Sequence, residues 1–340
     1  MKKYINQLIK KGMLEKVGGL IVCNRKIEKI RESIRNESYK PEPVKSIKIK
    51  GRIVWEATWG DKMVEKGVLL IIRENLGVDY FIDIVKAYIK GRGPKDAFKS
   101  IKEGFTNVKY LIKTDIRDHF GSIILKELEK DLIKILGKGP FIDLIWKILR
   151  GRDGPIKRKK GILQGGVLSP LFSNIYMKEI DEQLEKLDGI KVIRYGDDFL
   201  IGTKEDAENT LKIIKKILKK KGLELNKKKT SIVKSEKGLE YLGLNLSIKS
   251  EKVIVKGNAK KIIKRLIEKG YVTKEGKGKG KEEFISMSEE EISNIYGQLL
   301  KEHLNYYTDC INYVQLRLQI KKLLDESKRK SLALNGIYHP

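Results

Sequence analysis

The apolar positions along the 340-residue chain follow two periods, and the change from one to the other outlines the elements. Within residues 1–37, Ile27, Ile30 and Ile34 recur at helical spacing with Lys and Arg between them, which predicts a basic helix. Pro41 and Pro43 then force an extended entry, and Val44, Ile47 and Ile49 predict a strand in the stretch Ser38 to Arg52. Val64, Val68, Leu69, Ile71 and Ile72 predict a helix from Asp61 to Asn75, after Trp55 and Trp59. A Gly/Pro turn at Gly91 to Pro94 leads into a helix reaching Gly104. Tyr110 to Ile116 is mostly apolar and reads as a buried strand. Two amphipathic helices follow, one marked by Leu125, Leu128, Leu132 and Ile135, the other by Ile142, Ile145 and Leu149.

Phe172, Tyr176, Ile180 and Leu184 repeat every four residues behind Ser169, an N-cap candidate, and Pro170 at the first helical position. Ile190 to Arg194 and Phe199 to Ile201 read as two strands around a Gly196-Asp197 turn. Thr203 to Gly222 is a helix with Leu211, Ile214 and Leu218 inward and Gly222 as its stop. Leu223 to Ile248 alternates short strands with turns. From about residue 255 the pattern becomes helical throughout. Asn258 caps a short helix carrying Ile262, Ile263, Leu266 and Ile267 and ending at Gly270. Thr273 to Glu283 (TKEGKGKGKEE) is expected to be a flexible loop. Ser288 with Glu291 forms a capping box before Ile292, Ile295, Tyr296 and Leu299, and LNYYTDCINYVQLRLQIKKLL continues the helical pattern. The sum is an α+β chain that closes with a separate, basic, all-α module.

Charge narrows the partners. The chain has 73 Lys and Arg against 45 Asp and Glu, a net charge of +28 spread over its length. A polyanion explains that imbalance better than a solvated surface, because each neutralised phosphate releases counterions. An anionic membrane is the rival partner, but no stretch has the length of a transmembrane span. Two cysteines (Cys23, Cys310) and three histidines (His119, His303, His339) exclude a structural zinc site or a disulfide framework. The start is a poor signal peptide, so an intracellular protein is expected. The abundance of Lys, Ile, Asn and Glu resembles the output of an AT-rich genome, an organelle or a low-GC bacterium.

Candidate chemistry gathers at Tyr195-Gly196-Asp197-Asp198. The run is complete as a plain turn, but two carboxylates at a hairpin tip also suit a divalent metal for nucleotidyl transfer. Asp115 lies near the C-terminal end of its strand, where a carboxylate is costly unless paired or bound to metal; a turn or capping Asp is the alternative. On adjacent strands the three could hold two Mg²⁺ about 4 Å apart, the polymerase arrangement. In GILQGGVLSPLFSNIYMKEID (Gly161 to Asp181), Gly165 and Gly166 permit close approach of a ligand. A Gly-rich loop before a capped core helix accounts for the same stretch but leaves Gln164 without a role. Lys45, Lys48, Lys50 and Arg52 crowd the first strand, as a solvated edge or a phosphate clamp, and Arg92 is either a surface residue or a phosphate contact.

Together these stretches resemble a group II intron-encoded reverse transcriptase/maturase, from about Asn36 to the end. YKPEPVKSIKIK resembles the fingers strand, DAFKSIK the helix before the first catalytic strand, and KTDIRDHFGSI that strand's metal motif. GILQGGVLSPLFSNIY is similar to the signature loop and helix, RYGDDFL to the acidic hairpin, and LNKKKTSI and LEYLGL to the next palm motifs. MSEEEISNIY and HLNYY resemble the thumb, or maturase domain X.

The resemblance implies a right-hand polymerase fold: N-terminal extension and fingers over 1–107, palm over 108–250 within a reverse transcriptase domain of about 36–250, and an α-helical thumb over 255–335. It implies an RNA-directed DNA polymerase with two Mg²⁺, acting on RNA template, DNA primer and dNTPs, and a maturase that binds intron RNA for splicing. Asp115, Asp197 and Asp198 become the catalytic residues and, with Ile116, the metal positions. Phe120 becomes the gate against a ribose 2′-OH; Gln164 and Gly165 meet the base pair; Lys229 lies near pyrophosphate; Lys50 and Arg52 touch the triphosphate. Lys45, Lys48, Arg92, Lys261, Lys264 and Arg265 are the candidate RNA contacts.

The chain also departs from the family pattern. Gly121 stands where an acidic residue is common, Gly196 replaces Ala, RIVWEATWGDK lacks the Pro and Gly of the second fingers motif, the segment around AYIKGRG is shorter, and Lys301-Glu302 replace an Arg-Gly pair. With two cysteines, no zinc-dependent endonuclease is expected after the thumb. A splicing-only maturase with a vestigial polymerase site and a viral-type RNA-dependent RNA polymerase are the competing readings. The signature loop and thumb weigh against the second of these.

Overall fold

The computed structural model describes residues 24–49, 51–77, 79–150 and 158–336, with main chain alone at 24–26 and 52. Lys50 and the expected helical run before residue 24 lie outside the described residues. The chain divides into two compact units: residues up to Ala97 with Ile112–Ser231, and Phe98–Leu111 with Ile232 onward.

The first unit opens with helix α1 (Asn24–Arg35), on which Ile27 and Ile34 are buried. Strands β1 (Lys45–Ile49) and β2 (Arg52–Glu56) pair antiparallel, Ile47 opposite Val54. Strand β2 was not expected, because RIVWE lacks the alternation of a half-buried strand. In fact both faces of this ribbon carry exposed apolar groups: Ile47, Ile49, Ile53 and Trp55. Helix α2 (Trp59–Leu76) begins at Thr58, whose side chain accepts from Asp61 N. The buried Asp61 carboxylate accepts from Tyr39 Oη at 2.5 Å and Glu42 N at 3.0 Å, which lashes the two-proline segment to the helix.

The central sheet has the order β4-β5-β3-β6, from strands β3 (Tyr110–Asp115), β4 (Ile190–Tyr195), β5 (Asp198–Thr203) and β6 (Ser231–Lys234). Strand β3 starts in the second unit and ends in the first, as helix α3 (Pro94–Gly104) does in reverse. A short helix α4 (His119–Ser122) precedes α5 (Leu125–Leu136) and α6 (Pro140–Arg150). Helix α7 (Ser169–Glu185) packs against α5, β4 and α8 (Ala207–Lys220). Its row Phe172, Tyr176, Ile180 and Leu184 is fully buried, as the four-residue spacing predicts.

Ser169 does not cap α7. Its hydroxyl donates to the Leu163 carbonyl at 2.6 Å, so it closes the preceding loop instead.

In the second unit β7 (Leu239–Tyr241), β8 (Leu244–Lys249) and β9 (Lys252–Lys256) form an antiparallel meander. Its second turn uses Ser250 and Glu251, both at positive φ (+46° and +57°), without the Asn or Gly that would signal it; hence β9 was not foreseen. Helices α9 (Ala259–Glu268), α10 (Glu289–Leu304) and α11 (Tyr313–Leu334) complete the unit. Asn258 caps α9, and Ser288 with Glu291 forms the expected capping box on α10.

Two expectations fail here. The helical run from LNYY is broken after one 3₁₀ turn, Asn305–Tyr307. Asn312 exchanges two hydrogen bonds with the main chain of Gly257, at 2.9 and 3.0 Å, and Ile311 N donates to Val255 O, so the chain pairs with the end of β9 before α11 starts. The TKEGKGKGKEE stretch is not loose either. It lies as a strap on α11: Gly278 N donates to Glu326, Lys330 Nζ to Gly278 O, Ser327 Oγ to Lys279 O and Lys281 N to Ser331 Oγ, all within 3.0 Å. A Cβ at Gly278 would stand 2.5 Å from Ser327 N, so glycine is what lets the strap lie this close. No helix among the described residues is long and apolar enough to cross a membrane.

Candidate active site

The acidic hairpin is built as the sequence predicts. Tyr195 pairs with Asp198, and Gly196 takes φ +69° in the first central position of a two-residue turn. Its neighbour in the sheet is β3, so the tip stands beside the end of that strand: Ile116 N donates to Asp197 O at 3.1 Å. Asp115, 3% exposed, is the last residue of β3. Its own carbonyl accepts from Asn226 N, and Arg117 N donates to Glu224 O, which ties the segment 224–226 alongside. Asn226 then makes a turn, its side chain accepting from Lys228 N and its carbonyl from Lys229 N. That turn returns Lys229 Nζ to Asp115 Oδ2 in an ion pair.

The charges at this corner are coupled. Burial raises the Asp198 carboxyl above its ordinary value, the Asp197 and Asp115 charges raise it further, and Lys113 and Lys229 oppose them. The hydrogen bond to Asp115 raises the Lys229 ammonium, so it stays protonated. Asp115 Oδ1 is buried and has no hydrogen-bond partner. A buried carboxylate oxygen without a donor, at a corner where neighbouring carboxylates raise Asp198, is the donor chemistry a hard divalent cation takes. By donor type alone the three Asp suit a hard divalent ion. As placed, no three acidic, His or Cys side chains among the described residues stand close enough to hold an ion, and Lys229 supplies the positive charge on Asp115.

The other nominated residues distribute unevenly. Phe120, half-buried, lies five residues past Asp115 on α4, and its carbonyl accepts from Ile162 N at 2.9 Å, joining the gate position to the signature loop. Gln164 presents its carbonyl to Trp55 N at 2.9 Å. Gly165, at φ +99°, is required by its neighbours: a Cβ would meet Val54 Cγ1 at 2.4 Å and Trp55 O at 2.9 Å. Strand β2 makes a close approach there. Arg52 lies at the start of β2, its side chain outside the described residues, as is Lys50.

Lys45 and Lys48 are exposed on β1, and Lys264 and Arg265 on α9, while Lys261 pairs with Glu240 at 2.6 Å. Arg92 is turned inward. It donates to the carbonyls of Phe81, Ile82 and Val85 within 3.0 Å, so it holds that loop and is not a free phosphate contact.

Sequence reading passed over Arg194, Asp181, Asn174 and His119, all buried beneath the hairpin. Arg194 bridges Asp181, Asn174 and the Gly196 carbonyl. His119 Nε2 lies 2.6 Å from Ser173 Oγ, and burial, then Arg194, lowers its pKa to about 3. The available signal was a charged residue inside each apolar run: Arg194 on β4 and Asp181 on the helix.

Residues 40–246 match the family model described as reverse transcriptase (RNA-dependent DNA polymerase), which is more than half of the chain. The chain belongs to the reverse transcriptase family. Residues 250–335 of the chain match a second model, the type II intron maturase. Among curated proteins it is similar to the group II intron-encoded protein LtrA of Lactococcus lactis subsp. cremoris, 25% identical over 69% of this chain and 52% of that protein. It is also similar to the putative COX1/OXI3 intron 1 protein of Saccharomyces cerevisiae, 24% identical over 69% of this chain and 39% of that one. The chain thus spans about half the length of the first of these relatives, 52%. Apo telomerase from Candida tropicalis shares the fold at a TM-score of 0.51 and 14% identity, over 91% of this chain and 63% of that one. The α+β architecture with a helical C-terminal region is the reverse transcriptase fold, and the family in general uses a divalent metal.

Proposed function

We propose that this reverse transcriptase copies RNA into DNA from a primer, and that it binds intron RNA as a maturase. The observation that carries the first part is the corner where Asp115 leaves an unpartnered buried oxygen beside Asp197 and Asp198. Asp115, Asp197 and Asp198, with the Ile116 main chain beside them, would hold two Mg²⁺. When bound, such a pair supplies acidity at the primer 3′-hydroxyl and neutralises the triphosphate. The chain's own residues do the positioning. Phe120 stands against the sugar, the Gln164 loop supports the base pair, and Lys229, protonated and 60% exposed, meets the leaving pyrophosphate. Lys50 and Arg52 complete the clamp.

The match over 250–335 and the +28 charge support the maturase part, with Lys45, Lys48, Lys264 and Arg265 as phosphate contacts and intron RNA recognised by shape. Residues 1–107 serve as N-terminal extension and fingers, 108–250 as palm and 255–335 as thumb. We place the protein in a bacterial cytoplasm or in an organelle.

A splicing-only protein is the second reading. It is favoured by RIVWEATWGDK, which lacks the Pro and Gly of the family's second fingers motif and carries exposed Ile53 and Trp55. One comparison separates the two. Wild type extends a DNA primer on RNA with dNTPs; Asp197→Asn/Asp198→Asn does not, yet still binds and splices its RNA. Splicing by both with extension by neither establishes the second reading. Preference for rNTPs points instead to an RNA-dependent RNA polymerase.

A further inference from the structure

The acidic hairpin is gripped from inside the protein by one cation. Arg194, with no exposed surface, is the last residue but one of β4 before the turn. Its Nε donates to Asp181 Oδ1 at 2.7 Å and its Nη2 to Asp181 Oδ2 at 2.5 Å, a two-point pair. Its remaining Nη1 reaches two further acceptors, Asn174 Oδ1 at 3.0 Å and the Gly196 carbonyl at 2.9 Å. Asn174 in turn donates Nδ2 to Ala87 O at 2.9 Å. The main chain of Arg194 is paired with the same segment: its N donates to Ile84 O, and its carbonyl accepts from Lys86 N. Tyr88, held at φ +64°, lies against the other side of the tip, where a Cβ on Gly196 would stand 3.3 Å from its hydroxyl.

An ion pair buried only to fill the core is readily replaced by apolar residues of the same size. Such a replacement fills the space, but it leaves the Gly196 carbonyl and Asn174 Oδ1 without their donor. What Arg194 adds is direction. Its planar fork satisfies acceptors on α7 and on the turn at once, which a single ammonium cannot do from one point. Asp181 and Asn174 belong to the helix that follows the Gln164 loop, so the fork joins the two most chemically loaded stretches of the chain.

We propose that Arg194 is a positioning residue for the hairpin carboxylates: by holding the Gly196 carbonyl against α7, it sets how Asp197 and Asp198 face Asp115. The inference rests on the metal-site reading of those three residues. It is tested in the full chain with Arg194→Lys, which keeps the charge, and with Asp181→Leu/Arg194→Met, which replaces the pair by apolar groups.

Three readouts are compared with wild type: Mn²⁺ affinity from the electron spin resonance of free Mn²⁺, amide hydrogen exchange at residues 195–198, and kcat against KM for a dNTP. In both variants Mn²⁺ affinity should fall by about tenfold to a hundredfold, the scale set by removing a group that orients a metal ligand. Exchange at the tip should quicken, and kcat should fall with KM little changed. A folded double variant with wild-type Mn²⁺ affinity and wild-type exchange at the tip overturns the proposal. If the double variant does not fold, Arg194→Lys decides by the same criteria. If wild type extends no primer, the polymerase reading fails by itself, and hydrogen exchange at the tip still decides whether Arg194 holds it.

Discussion

His119 shows what the charged floor under the hairpin demands of single residues. It is buried against Arg194, and its pKa of about 3 lies below the ordinary 6.5, so it is neutral in the working protein. Between those values the unfolded chain binds a proton there and the folded chain does not. Stability is therefore lost as pH falls from 6.5 towards 3, by about 1.4 kcal/mol per pH unit for this one group. His119→Gln keeps a polar partner for Ser173 and removes the titration. Its stability between pH 6.5 and 4, followed by urea unfolding, should fall less steeply than that of wild type; parallel profiles would show that His119 protonates in place.

Phe120 sits next to it in the chain and carries a different expectation. In Phe120→Ala, discrimination of dNTP over rNTP should relax by about tenfold to a hundredfold, a loss of about 1.4 to 3 kcal/mol. Unchanged selectivity removes the gate role. The three acidic residues were legible because carboxylates at a strand end and a hairpin tip stand out in apolar runs. The residues beneath them were not. Arg194 finds Asp181 thirteen positions back, through the packing of a helix on a sheet, and no local pattern encodes that pairing.

At the scale of elements, the strongly periodic helices were foreseen and the glycine-led close approaches were not. Phe172, Tyr176, Ile180 and Leu184 announced α7 because burial of one helix face imposes the spacing. The composition of the strap over 273–283, Gly with Lys and Glu, suggests a loose loop, yet its partners are Ser327, Ser331, Glu326 and Lys330 on a helix about fifty residues later. At Gly165 the close approach in the structure is that of β2, and the sequence does not distinguish it from close approach of a ligand. Gly278→Ala tests the strap. The added methyl meets Ser327 N and Leu323 O, at 2.5 and 2.7 Å, so the strap must lift. Thermal unfolding should show a loss of about 1–3 kcal/mol, the usual cost of overpacking. An unchanged melting curve means that the strap is not a structural part of this unit.

Across the whole molecule, the two family matches, 40–246 and 250–335, follow one another along the chain, whereas the compact units interleave. Helix α3 and strand β3 pass between units, a topology that no boundary drawn along the sequence expresses. Charge is the property that spans both. With a net +28, binding to structured RNA should be dominated by phosphate contacts. If six to ten phosphates are neutralised, affinity should fall by about 10³ to 10⁵ between 50 and 200 mM salt. Lys264→Ala/Arg265→Ala should lower the slope of log affinity against log salt by about one for each phosphate no longer neutralised. A flat salt dependence in wild type contradicts a phosphate clamp.

The claim on which the rest depends is that Asp115 works with Asp197 and Asp198, although it is now paired with Lys229. Single-turnover extension of a DNA primer by one dNTP on an RNA template, in wild type and in Asp115→Asn, tests it most directly. A shared metal site predicts Mg²⁺-dependent extension by wild type and a rate lower by about 10³-fold or more in the variant, about 4 kcal/mol of transition-state stabilisation. Equal rates in the two proteins, or extension by wild type without divalent metal, would contradict it.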